Sequence, residues 1–242
     1  MNEEILEFIK KGMIINASHQ KGGTGKSTII YHLARAFILL GYKVKLLDLD
    51  IQNTCVSLNE LREEELDYIL NITEEEEFVE IINNAAEDEI ILIDSGGFDS
   101  TLTRLAIMAA DINLTPVADK VTELLAVIRK YSVILEEIAD SSNKEIKSYV
   151  LLNKIHLFAT NFDHIIELLE DQERMQLITT TKEVDEEEIE VPFVIRDRNI
   201  YDKALTQGLT VQEAPERKGH EDASYEMEKL AKILLKINSE VN

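Results

Sequence analysis

Eight consecutive residues hold the densest chemistry of this 242-residue chain: Lys21, Gly22, Gly23, Thr24, Gly25, Lys26, Ser27 and Thr28. They follow an apolar run at 12–18 and open a helical pattern over 26–40. Glycines in such a place let successive backbone N–H groups curl around an anion, and the helix N-terminus adds the positive end of its dipole. Lys26 is placed to reach β- and γ-phosphates, and the Ser27 hydroxyl to ligate Mg2+. The ligand this pattern predicts is a nucleoside triphosphate. An ordinary phosphate loop begins with a glycine where this chain has Gln20, and here an extra lysine, Lys21, stands next to it.

Three further segments carry polar residues at the ends of apolar runs. LLDLDIQNT (46–54) sets Asp48 and Asp50 two apart at a strand's C-terminal edge, so both point alike and can serve a hydrated Mg2+ and an attacking water. EIILIDSGGFDS (89–100) ends a strand in Asp94, a carboxylate placed to hold Mg2+ through water, and Gly96 and Gly97 can form a turn of donating N–H groups. LLNK (151–154) puts Asn153 at a strand end, where an amide can both accept from and donate to adenine, or simply form a turn.

Together these segments resemble the deviant-Walker ATPases of the ParA/MinD type, whose loop reads KGGxGK followed by Ser or Thr. The resemblance implies a P-loop NTPase fold with ATP and Mg2+ as cofactors, and a homodimer that sandwiches ATP. It implies that Lys21 crosses to the partner's nucleotide, and that Lys21, Lys26 and Asp50 are the catalytic set, Asp50 positioning the water. Nucleotide contacts fall on Gly22, Gly23, Thr24, Gly25, Lys26, Ser27, Thr28, Asn153 and Arg196, and metal contacts on Ser27, Asp48 and Asp94. Ile51 replaces the family's proline, and Ser95-Gly96-Gly97 replaces its usual TPP. VPFVIRDRNIYDKALTQGLTVQE (191–213) is similar to the C-terminal signature of the small ParA proteins, with Arg196, Arg198, Tyr201, Ala204, Gly208, Val211 and Glu213 in step. By that likeness 195–198 flank the adenine, while Arg196 or Arg198 could instead contact DNA or stack across a dimer. The likeness runs from 14 to 213, predicts one P-loop ATPase domain over 1–242, and leaves no room for the extra helix-turn-helix domain of larger ParA proteins.

The elements that must position these residues are legible as alternating patterns. Apolar runs of strand length lie at 12–18, 42–50, 89–95, 111–117, 148–154 and 191–195, and helical periodicity at 26–40, 74–85, 99–110, 120–139, 160–172, 199–207 and 222–238. The order predicts an α/β fold, a mostly parallel twisted sheet with helices on both faces. Gly41 is the expected left-handed cap of the first helix, and Thr73 with Glu76 reads as a capping box.

Cys55 is the one cysteine, which excludes an intramolecular disulfide and argues against a cysteine-ligated iron–sulfur scaffold. The five histidines lack metal-ligand spacing, and there is no GxSxG nucleophile elbow. No apolar run is long enough to span a membrane, and MNEEILEFIKKG is too acidic for a secretory signal, so a cytoplasmic protein is expected. Met227, Leu230, Ile233, Leu234 and Ile237 recur at helical spacing, and the neighbouring Glu226 and Glu228 favour packing on the protein's own sheet over a membrane surface.

Asp and Glu number 47 against 25 Lys and Arg, a formal charge of −22. Such a chain repels DNA at long range, so any non-specific DNA binding must use a local basic patch drawn from Arg196, Arg198, Lys203, Arg217 and Lys218. The acidic runs Glu63–Glu65, Glu74–Glu77 and Asp185–Glu188 read as solvated faces that could also receive a basic partner. The functional expectation is a switch that partitions or positions plasmid or chromosome DNA or another cargo, reset by hydrolysis under a ParB-like adaptor or DNA-binding partner. The alternatives are a MinD-like positioning ATPase on a non-DNA surface, and a metabolic ATP-dependent enzyme of the dethiobiotin-synthetase kind, for which no substrate constellation is visible.

Overall fold

Residues along β1 (Met13–Ala17) alternate between two separate cores. Met13, Ile15 and Ala17 join one apolar cluster, and Ile14 joins another on the opposite face. That division needs a sheet with both faces covered, and the computed structural model, which describes residues 12–19, 21–184, 187–215 and 218–241, has one. The N-terminal 1–11, Gln20, Asp185, Glu186 and Arg217 lie outside the described residues.

The chain continues through α1 (Lys26–Leu39), β2 (Lys43–Asp48), α2 (Thr54–Glu60), β3 (Ile69–Asn71), α3 (Glu75–Asn83), β4 (Glu89–Asp94) and α4 (Thr101–Ala109). Next come β5 (Ile112–Val117), α5 (Val121–Ser142), β6 (Ser148–Ile155), α6 (Asp163–Glu170), β7 (Met175–Leu177), β8 (Thr179–Val184) and β9 (Glu187–Pro192). The last elements are β10 (Val194–Arg196), α7 (Asn199–Leu205) and α8 (His220–Val241). The main sheet runs β10-β6-β5-β1-β4-β2-β3, with β7 also on β6, and every pairing in it is parallel.

One layer is α1, α7 and α8: Leu33 and Phe37 of α1 and Met227, Leu230 and Leu234 of α8 pack on Ile15, Leu46, Leu92 and Leu151. Burying side chains of this size stabilises by about 1.5–3 kcal/mol each, so α8 belongs to the core, as its periodicity predicts, and not to a membrane surface. The other layer sets Phe78 of α3 and Leu105 of α4 on Ile91 and Ile93, and Leu124 and Leu135 of α5 on Val150 and Leu152. No helix among the described residues is long and apolar enough to cross a membrane.

Local signals held at one helix end and failed at another. Gly41 has φ 93°, its N–H donates to Ile38 O at 3.0 Å, and the Tyr42 N–H donates to Phe37 O at 3.1 Å, the paired bonds of a Schellman cap. The Thr73–Glu76 capping box does not form. Glu74 is the N-cap of α3 without a side-chain cap bond, and Thr73 donates instead to the Glu74 carboxylate. Glu75, Glu76 and Glu77 in the first turn meet the helix dipole without it.

The elements that the apolar pattern did not predict, β3, β7 and β8, are short or exposed, and the predicted run at 191–195 divides between the end of β9 and β10. β7 pairs with Ser148–Val150 and β10 with Leu152 and Ile155 on the same strand, while the Phe193 N–H donates to Ile178 O. The exposed antiparallel hairpin β8–β9 therefore interrupts what is otherwise one edge strand.

Candidate nucleotide site

Because the sheet is parallel, the C-terminal ends of β1, β2, β4 and β6 share one edge, the place where open α/β sheets bind ligands. The loop after β1 starts there. Gly23 (φ 80°) and Gly25 (φ 96°) are left-handed, and Gly25 is the N-cap of α1. A Cβ on Gly25 would stand 2.4 Å from Asn153 Nδ2, so both backbone and space demand glycine. Around Gly22 and Gly23 nothing lies within 4 Å of where a Cβ would be, which leaves room for an anion against the loop backbone.

His19 braces this loop from below. Its Nδ1 accepts the Lys21 N–H at 3.0 Å, and its Nε2 lies 3.0 Å from Pro116 O and 2.7 Å from Thr24 Oγ1. Burial, helped by Lys26, lowers its pKa to about 4, so the ring is a neutral strut. The spacing of the histidines carries no sign of this role, although His19 stands two residues before the loop lysine.

Lys26 is buried, and its Nζ donates to Lys21 O at 3.2 Å. Burial pulls its pKa down while Asp94 and Asp50 push it up. Lys26, Ser27, Thr28 and Asp50 line a cavity of about 400 Å³ over the loop, together with Gln52, Gly97, Phe98 and Lys154.

Asp94 is fully buried. Its Oδ2 takes the Cys55 S–H at 3.6 Å, and its Oδ1 has no hydrogen-bond partner among the described residues. Burial raises its pKa to about 7, offset in part by the Ser27 hydroxyl and Lys26 and reinforced by Asp48 and Asp50. An orphaned carboxylate oxygen beside a hydroxyl is a hard-oxygen donor set that fits a Mg2+ ion.

Asp48 pairs with Asp94 in the β2–β4 register, but its carboxylate is already occupied. It accepts the N–H groups of Asp50 (3.1 Å), Cys55 (2.8 Å) and Val56 (3.2 Å), closing the 48–53 turn and capping α2. Asp48 thus seats that turn, and its ligand atom also lies within 4.8 Å of those of Asp94 and Cys55, a grouping able to hold a metal ion as the metal role expected of Asp48 requires. Asp50 reaches the cavity, its Oδ1 accepting the Gln52 N–H at 3.0 Å. Gly96 lies close beside it, and a Cβ there would stand 3.3 Å from Asp50 Cγ, so any side chain at 96 would press on Asp50.

Lys21 turns away from its own cavity. Its Nζ lies 2.7 Å from Glu123 Oε2 on α5, and Glu123 Oε1 accepts the Ala118 N–H at 2.9 Å. Burial opposes ionisation of Glu123, yet Ala118 and Lys21 hold its carboxyl below the usual range. Nothing in the local sequence marked Glu123.

Asn153 Nδ2 donates to Thr24 O at 2.8 Å, so this amide clamps the loop. Arg196 does not line the cavity. Its Nη1 donates to His156 O and Ala159 O, both at 2.8 Å, which pins the loop after β6. Arg198 is held by Glu226 (3.0 Å) and Asp222 (2.9 Å) on α8. The Arg196 guanidinium, expected at the nucleotide, is engaged in this structure by these carbonyls of the loop after β6.

The rest of the 191–213 signature docks the C-terminal turn onto α1 and α2. Gly208 has φ 66°, and a Cβ on it would meet Leu58 O at 2.3 Å. Its carbonyl accepts from Tyr31 (2.6 Å) and Arg62 (2.7 Å), and Arg62 grips Glu213 through two bonds.

With this geometry in place, residues 14–211 match the CbiA model, described as the CobQ/CobB/MinD/ParA nucleotide binding domain. The chain belongs to this family. Its loop, with Lys21 ahead of Lys26, makes it a ParA/MinD-type member. No curated protein sequence matches it. Among solved structures, the family member MinD from Aquifex aeolicus superposes with a TM-score of 0.64 at 18% identity, over 93% of this chain and 98% of that one. A putative plasmid partition protein from Borrelia burgdorferi bound to AMPPNP gives 0.60 at 16%, over 93% and 99%. An McdA variant from Cyanothece in complex with ATP gives 0.61 at 16%, over 93% and 97%. At these identities the likeness concerns the fold, the P-loop NTPase fold of the family.

Proposed function

We propose that this chain is an ATP-dependent dimerising switch that positions or partitions a cargo, with hydrolysis resetting it. The chain is an ATPase, with ATP and Mg2+ as cofactors. The observation that carries the switch reading is the division of labour between two lysines of one loop. Lys26 is buried over its own cavity, while Lys21 is half exposed and directed away from it.

Each residue then has a task that needs no covalent chemistry from the protein. Lys26 and the N–H groups of Gly22–Thr28 bind the phosphates, and Ser27 and Asp94 hold the metal. Bound Mg2+ supplies neutralisation of charge developing on the phosphates. Asp50 orients the attacking water, Asp48 fixes the turn that carries it, and Lys21 reaches the partner's nucleotide. Asn153 sets the loop, and the likeness to the family assigns its amide to the adenine edge.

The cargo surface separates two versions of the switch. Arg196 and Arg198 are half-buried and engaged by carbonyls and carboxylates of the chain itself, which leaves the exposed Lys203 and Lys218 as the described remnants of a basic patch on a chain of charge −22. That favours a weakly DNA-binding protein, or a MinD-like one acting on a non-DNA surface in the cytoplasm. The exposed acidic runs at Glu63–Glu65 and Glu74–Glu77 suit a ParB-like adaptor with a basic arm.

The deciding experiment uses Asp50→Ala with ATP and Mg2+, and ADP as control. Light scattering is expected to give twice the monomer mass with ATP alone. A monomer under all conditions would overturn the switch and favour a metabolic ATPase. Duplex-DNA binding by the dimer at low and physiological salt then separates the DNA surface from any other.

A further inference from the structure

Every residue of β6 is buried except Lys154. Its φ of 56° is left-handed, and the other non-glycine residues of that kind among the described residues are Asn53 and Asn143. Asparagine tolerates this conformation because its short amide bonds locally, whereas lysine has no such compensation. A strained residue that persists is held by what it contacts.

The contact is the phosphate loop. In a regular strand consecutive side chains point to opposite faces. Asn153 and Lys154 nevertheless both reach the loop: Asn153 Nδ2 lies 2.8 Å from Thr24 O, and Lys154 Nζ lies 3.2 Å from Gly23 O. The left-handed turn at 154 breaks the alternation. Its Cε would be 3.6 Å from a Cβ on Gly25, so the stem lies across the loop, and the residue lines the same cavity as Lys26.

We infer that Lys154 is a positioning residue of the nucleotide site, clamping the loop backbone and adding a second ammonium to the cavity. A trans peptide unit points its N–H opposite to its carbonyl. Holding the carbonyls of Gly23 and Thr24 therefore aims the N–H groups of Thr24 and Gly25 away from the clamp, as consecutive donors for one anion. The role rests on the nucleotide-site reading above and deepens it.

The test measures equilibrium binding of a fluorescent ATP analogue with Mg2+ to the wild type, Lys26→Ala, Lys154→Met, Lys154→Gly and Lys154→Arg. Glycine adopts the left-handed conformation freely, so Lys154→Gly keeps the turn and removes the whole side chain, whereas Lys154→Met keeps a stem of similar length and removes the ammonium. Both Lys154→Met and Lys154→Gly are expected to bind about tenfold or more weakly, the scale of a charge-assisted hydrogen bond, with Lys154→Arg restoring most of the loss. Melting of unliganded Lys154→Gly is expected at or above the wild-type midpoint, which separates the effect from misfolding. Failure of the wild type to bind at all would reject the nucleotide site itself. Wild-type affinity in Lys154→Gly and Lys154→Met, alongside lost binding in Lys26→Ala, would overturn the role of Lys154 and leave the site standing.

Discussion

Lys21 and Glu123 face each other between the phosphate loop and the first turn of α5, ammonium to carboxylate at 2.7 Å within one chain. Glu123 is buried and uses its second oxygen on the Ala118 N–H, so the carboxylate is fixed and the lysine is the mobile member of the pair. A lysine that serves a partner's nucleotide must first leave Glu123. With the lysine side chain 46% exposed, solvent screens the pair and its strength is about 1 kcal/mol or less. Two such pairs open per homodimer, so Glu123→Gln is expected to lower the protein concentration at which the ATP dimer forms by up to about thirtyfold. An unchanged concentration dependence in light scattering would show that the pair does not restrain assembly.

Lys21→Ala separates binding from turnover. Lys26 and the loop N–H groups remain, so ATP affinity should stay within about threefold of wild type, while hydrolysis falls by about a hundredfold or more, as for other transition-state cations supplied in trans. Phosphate release at saturating ATP is the measurement, and undiminished turnover would make Lys21 a loop residue only.

His32 connects pH to stability. Burial, opposed only by Glu213, lowers its pKa from 6.5 to about 3, and its Nδ1 accepts the Val211 N–H. The folded value lies below the unfolded one, so on acidification the unfolded chain takes up the proton first. The stability is complete above pH 6.5 and drains as pH falls from there toward 3. By pH 5 the loss is about 2 kcal/mol, and His32→Gln should show a correspondingly shallower fall in melting temperature. Parallel curves for the two proteins would contradict this assignment.

Gly208→Ala tests the C-terminal turn. The substitution combines a φ of 66° with a Cβ 2.3 Å from Leu58 O, and the turn also anchors Tyr31 and Arg62. A destabilisation of about 2–3 kcal/mol is expected by chemical denaturation, larger than for an unstrained surface glycine. A loss below 0.5 kcal/mol, roughly the scatter of surface changes, would mean the turn relaxes freely.

What the sequence determined by itself was whatever adjacent residues decide. The loop of Lys21–Thr28 follows its strand and opens α1 as its spacing requires, and Asp94 ends β4, because strand, turn and helix start are contiguous there. Five of the six apolar runs became strands of the sheet, since burial on both faces leaves a continuous apolar imprint, while the run at 191–195 divides between the end of the β9 hairpin strand and β10. The three-residue strands β3 and β7 left none, because their neighbours' ladders hold them, and α2 depends on a cap from Asp48 rather than on its own pattern.

Partner choice across the chain was decided only by tertiary structure. Asn153 and Lys154 meet the loop across separations of 129 and 131 residues, and Lys21 meets Glu123 across 102. Arg196, expected at the nucleotide, is engaged by two carbonyls. A charged side chain satisfies itself with whichever group the packed strands bring within hydrogen-bond reach, and residue spacing along the chain does not encode that distance.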